Sequence, residues 1–93
     1  MNTKQDEVAL EKVLKALANR RRLSILRLLR TRGTTDVGSI AEHIKLSFAA
    51  TSRHLRTLAA ADLVSTRQVN TNVQYSLAAQ RHPLLSETLA NLK

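Results

Sequence analysis

The sequence predicts a mainly α-helical domain with one small β-hairpin, in the order α-α-α-α-β-β-α, and three observations lead there. Apolar residues recur at helical spacing through most of the chain. The spacing changes to strict alternation between Val64 and Leu77. Gly33 and Pro83 stand where one helix should stop and another should start. At 93 residues the chain has room for a single domain, spanning 1–93.

Leu10, Val13, Leu14 and Leu17 follow the i, i+3, i+4, i+7 pattern and predict a first helix over about 6–17. Asn19 is a capping residue, and beyond it Leu23, Ile25, Leu26, Leu28 and Leu29 give a broad apolar face that Gly33 terminates. Thr34, Thr35 and Asp36 form polar punctuation, Asp36 serving as N-cap for a short third helix with Val37, Ile40, Ala41 and Ile44 inside. Lys45, Leu46 and Ser47 make a brief break, with Ser47 capping a fourth helix over 48–60 that contains neither Gly nor Pro. Two helices joined by about three residues form a helix-turn-helix. Val64 and Thr66, then Val73, Tyr75 and Leu77, alternate with polar neighbours around a turn of Asn70, Thr71 and Asn72. That hairpin supplies the wing of a winged helix-turn-helix. Pro83 opens a last helix, about 83–92, whose stripe is Leu84, Leu85, Thr88, Leu89 and Leu92.

Fifteen Lys and Arg against seven Asp and Glu give a formal charge of +8, with 43% of residues hydrophobic. A core of this size is marginal for a monomer, so an exposed apolar helix face inviting a second copy is expected. The chain has no cysteine, which removes disulfides, thiolate metal ligands and cysteine nucleophiles. No apolar run reaches the roughly 18 residues of a membrane span, and the start mixes acids and bases rather than forming a signal peptide, so a cytoplasmic protein without membrane contact is expected. The only glycines are Gly33 and Gly38, which cannot build a phosphate-cradling loop, and no Ser, His and carboxylate set is arranged for catalysis. No enzyme activity and no cofactor are expected.

On a 100° wheel the fourth helix turns Ala50, Thr51, His54, Leu55 and Leu58 inward and Ala49, Ser52, Arg53 and Arg56 outward. The outward side is small, polar and cationic, and suits a major groove about 12 Å wide. Arg53 and Ser52 are the candidates for base contacts and Arg56 for phosphate, with Ser47, Phe48 and Ala49 at the leading end of the same helix. Phe48 is expected to pack on the neighbouring helix, contact with a thymine methyl being the alternative. Arg67 flanks the hairpin, and Asn70, Thr71 and Asn72 offer neutral hydrogen-bonding groups to phosphate or a minor groove, or else form an ordinary solvated turn. Arg20, Arg21, Arg22, Arg27, Arg30 and Arg32 crowd the second helix on different faces, which reads as mostly solvated and partly structural charge.

With these residues in view the chain resembles the ArsR family of winged-helix transcriptional regulators over about 14–77. The likeness lies in Ala16-Leu17-Ala18-Asn19, Arg22-Leu23-Ser24-Ile25-Leu26, Ile40-Ala41-Glu42-His43-Ile44, Ser52-Arg53-His54-Leu55-Arg56-Thr57-Leu58 and Leu63-Val64. Where the family usually has glycine this chain has Asp62, and Asn70 and Thr71 stand where the wing tip often carries Gly and Arg. The resemblance implies double-stranded DNA as partner, a homodimer packed through the first and last helices, an inverted-repeat operator and, in most members, repression. The apolar stripes of those helices give the expected dimer set: Leu10, Val13, Leu14, Leu17, Leu84, Leu85, Leu89 and Leu92.

Many members sense metals or oxidants, and here the residues for that are missing. The family's thiolate site falls on Val37-Gly38-Ser39-Ile40, which has neither thiol nor imidazole. Its last-helix site of Asp, His and Glu is reduced to His82 and Glu87, five apart and poorly placed to share a face. No metal is expected, and an effector is left open. Two other classes compete with a sequence-specific regulator: a non-specific or architectural nucleic-acid binder driven by charge alone, and a basic module that docks on an acidic protein.

Overall fold

The computed structural model describes residues 3–93; the first two residues of the expected domain lie outside the described residues. The elements in order are α1 (Thr3–Leu17), α2 (Arg20–Arg32), β1 (Thr35–Asp36), α3 (Val37–Ile44), α4 (Phe48–Ala60), β2 (Val64–Val69), β3 (Asn72–Leu77) and α5 (Pro83–Asn91). The side chains of Asn19, Asp36 and Ser47 cap α2, α3 and α4 by accepting from the backbone N–H of Arg22, Ser39 and Ala50. Each satisfies a donor that the first helical turn leaves unpaired. Gly33, at φ 77°, closes α2 and donates its N–H to the Leu29 carbonyl.

Four features differ from the sequence reading. Thr35 and Asp36 are a short third strand that pairs antiparallel with Tyr75 and Gln74, so the sheet order is β1-β3-β2. Two polar residues cannot show a period, which is why they look like a loop. Asn72 lies in β3 opposite Val69, leaving a two-residue hairpin loop of Asn70 and Thr71 with Asn70 at φ 57°. The first helix begins at Thr3 rather than near Asp6, and Leu92 falls just beyond the end of α5.

The core is built on α2, whose Ile25, Leu26, Leu28 and Leu29 are buried against Ile40 and Ile44 of α3, Leu55 and Leu58 of α4, and Tyr75 of β3. α1 adds Val13, Ala16 and Leu17, and α5 adds Leu85 and Leu89. Hydrophobic burial alone does not fix how these helices end against one another; three arginines of α2 do. Arg21 Nη1 donates to the Ile44 carbonyl at the end of α3 (2.8 Å). Arg22 donates through Nε to Ala16 O (2.6 Å) and through Nη2 to Lys15 O (2.8 Å) at the end of α1. Arg30 reaches the Leu89 and Leu92 carbonyls at the end of α5. At α1 and α3 the guanidinium meets carbonyls that the last helical turn leaves unpaired, at α5 it joins the Leu92 N–H on the Leu89 carbonyl, and its charge complements the negative end of each helix dipole.

Candidate nucleic-acid interface

α3 and α4 owe their mutual orientation to a tight turn. The Lys45 N–H bonds Glu42 O and the Leu46 N–H bonds Ala41 O, the paired closure of a Schellman motif, with Lys45 in the left-handed region at φ 59°. A second such closure ends α4: Asp62 N–H to Ala59 O and Leu63 N–H to Leu58 O, with Asp62 at φ 58°. Aspartate there adopts the conformation that glycine would otherwise supply, so its presence leaves the turn into β2 intact.

Between these turns α4 buries Thr51, Leu55 and Leu58 completely. Thr51 Oγ1 is satisfied by donating to Ser47 O at 2.8 Å. On the opposite side Ala49, Arg53 and Arg56 are exposed and Ser52 is half-buried. Phe48 corrects the packing expectation: it is 60% exposed, because the turn ahead of α4 directs the first residue of the helix away from the core. Lys45, exposed three residues earlier in the turn, adds a cation beside this face. In the sequence Lys45 stands out only as part of the break between two helices, and its positive charge in a helix-turn-helix turn is the signal that marks it. In the hairpin Arg67, Asn70, Thr71 and Asn72 are all exposed, Arg67 opposite Gln74 within the ladder. Tyr75 and Val64 anchor the base of the hairpin in the core, and the half nearer the tip, including Val73, projects beyond it.

His54 faces back into the protein. Its Nδ1 accepts from Arg22 Nη1 at 3.2 Å, so the arginine that ends α1 also steadies α4. Burial, and then the charges of Arg22, Arg53 and Arg21, push the His54 imidazole below its ordinary pKa and favour the neutral ring that this bond needs. Asp36 is held below the usual carboxylate range by the hydroxyl and backbone N–H of Ser39, so the α3 cap stays ionised.

The residues expected at a dimer contact divide. Val13, Leu17, Leu85 and Leu89 are buried within the chain's own core, so their apolar surface is already covered and they are not free for a partner. Leu10 and Leu14 are 46% and 48% exposed, and Val8, absent from the expectation, is 65% exposed. Leu10, Leu14 and Ala18 line a shallow apolar groove on α1 flanked by Glu7, Glu11 and Lys15, and Val8 lies outside it. Leu84 and Leu92 are half-buried.

Among the described residues no three His, Asp or Glu side chains come together as metal ligands. His82 Nδ1 accepts from the Leu84 N–H at 3.0 Å, capping α5, and His43 is exposed on α3. Among the described residues no helix is long and apolar enough to cross a membrane.

Residues 19–66, which include α2, the helix-turn-helix and the start of β2, match the model of the arsR family of bacterial regulatory proteins. The transcriptional activator HlyU of Vibrio cholerae serotype O1 is 38% identical over 80 residues, 86% of this chain and 73% of the activator. Among solved structures, NolR from Sinorhizobium fredii has a TM-score of 0.79 at 32% identity, covering 99% of this chain and 90% of that one. A homodimeric winged helix-turn-helix DNA-binding domain from Mycobacterium bovis has a TM-score of 0.79 at 29% identity, covering 99% and 83%.

Proposed function

The chain belongs to the arsR family of bacterial regulatory proteins, and on that footing we propose that it is a homodimeric, sequence-specific reader of double-stranded DNA with an inverted-repeat operator. The observation that carries this is the outer face of α4. A capped helix, fixed by a closed turn at each end, presents Ser52, Arg53 and Arg56 to solvent beside Phe48 and Ala49. Arg53 pairs with a guanine O6 and N7, Ser52 bonds a base edge, and Arg56 and Lys45 neutralise phosphate. Ser47 supports the helix end through its cap, and Arg67, Asn70, Thr71 and Asn72 rest along the adjacent backbone.

The second copy covers Val8, Leu10 and Leu14 of α1, with Leu84 and Leu92 at the edge, as the homodimeric neighbour supports. Two-fold symmetry then sets the reading helices about 34–36 Å apart, one turn of DNA. The chain has no cysteine, so the regulation proposed here uses no thiol, and it assigns no role to a transition metal. Repression arises where the operator overlaps a promoter, since bound protein excludes other proteins from the same DNA. The relative from Vibrio cholerae is an activator, and in this reading the position of the operator sets the sign. The place of action is the cytoplasm, with the DNA.

Selection of bound duplexes from a random pool at near-physiological salt, followed by sequencing, tests the proposal. Enrichment of a two-fold symmetric motif is expected. Retention without a motif would favour an architectural protein that binds by charge. Failure to retain DNA would favour docking of the basic surface on an acidic protein.

A further inference from the structure

Phe48 is the only large apolar side chain on the outward side of α4, and nothing in the protomer covers most of it. It begins a helical row with Ser52 and Arg56, at i, i+4 and i+8, beside the row of Ala49 and Arg53. One face thus presents, from its leading end, a bare aromatic ring, a hydroxyl and cations. The ring has no conventional hydrogen-bond donor or acceptor, and its best complement on a base edge is an apolar group. Of the base edges in a major groove, only thymine offers one, its C5 methyl. Phe48 and Arg53 are five residues apart, a rise of about 7.5 Å, or roughly two base-pair steps.

We propose that Phe48 is a specificity-determining residue that selects thymine in each half-site, about two base pairs from the guanine read by Arg53. This rests on the DNA-reading function proposed above. Burying one methyl against the ring gives a discrimination of roughly fourfold per half-site, and more when both half-sites are altered together. 5-Methylcytosine carries the same methyl, so paired with guanine it restores part of what unmodified cytosine loses at that position.

The experiment uses duplexes selected by the full chain, replacing each thymine of the half-site in turn by deoxyuridine, which lacks only the methyl. For the natural chain, one symmetric position is expected to lose roughly fourfold in affinity per half-site. Phe48→Ala is expected to bind the thymine and deoxyuridine duplexes equally while keeping its preference for the guanine. Phe48→Leu should keep part of the discrimination. An unchanged melting temperature of Phe48→Ala is expected for so exposed a residue, and a clear drop would overturn the assignment by placing the ring in the protein's own packing. Indifference of the natural chain to deoxyuridine at every position, or Phe48→Ala retaining full discrimination, would overturn this inference alone. Absence of any enriched motif would overturn the DNA reading and this inference with it.

Discussion

Six arginines stand between positions 20 and 32, and what each one reaches decides what it does. Arg21, Arg22 and Arg30 close the ends of α3, α1 and α5. Composition shows these residues as charge, and the second-helix pattern shows that they occupy different faces. Neither can show that a carbonyl 59 positions away awaits one of them. Arg53 is the opposite case, because its outward position was legible from the wheel alone. Arg53→Ala should weaken operator binding by about 1–3 kcal/mol and relax preference at one symmetric position, measured by titration against single-base variants. An equal loss on every sequence would make it a phosphate contact.

His54 gives a second test at this scale. Its ordinary pKa is 6.5, and in the folded chain burial and its arginine neighbours lower it. The unfolded chain therefore binds the proton more readily, and stability falls as pH drops. The contribution of neutral His54 is whole above pH 6.5 and is lost progressively as pH falls toward the depressed folded value. Melting curves between neutral and mildly acidic pH should show this decline, and His54→Gln, which keeps an acceptor for Arg22, should flatten it.

At the scale of elements, α2 to α5 are legible because each has a local start signal and an apolar stripe, whereas α1 has the stripe alone and its start is missed by three residues. α3 and α4 occupy the residues that Asp36, Ser47 and the spacing of Ile40 and Ile44 indicate. β1 was not legible, since Thr35 and Asp36 become a strand only through long-range pairing with Tyr75 and Gln74. Phe48 was misjudged for a related reason: a wheel places it near the apolar edge, whereas the path of the turn determines what lies beside it. That turn supplies its own prediction. Lys45 holds a left-handed conformation at a position that favours glycine, so Lys45→Gly should stabilise the fold by about 1 kcal/mol in urea unfolding. With its ammonium on phosphate, the same change should reduce the salt dependence of DNA binding by about two units of slope, one per protomer.

For the whole molecule, α1 links stability to function. It gives Val13, Ala16 and Leu17 to the protomer core and leaves Val8, Leu10 and Leu14 at the surface. The sequence showed an apolar stripe on this helix, but it could not apportion that stripe between the chain's own core and a partner. Leu10→Glu with Leu14→Glu should therefore leave a folded chain that sediments as a monomer, with operator affinity reduced by about a hundredfold or more. A dimer doubles the charge of +8, so association should weaken steeply with salt.

The most direct measurement is a dimethyl sulfate footprint on a selected operator, because it probes guanine N7, the major-groove atom assigned to Arg53. Two symmetry-related protected guanines about 34–36 Å apart, both unprotected with Arg53→Ala, are expected. Faint protection spread over all guanines, or a single protected patch unaffected by Arg53→Ala, would contradict a dimer that reads DNA through α4.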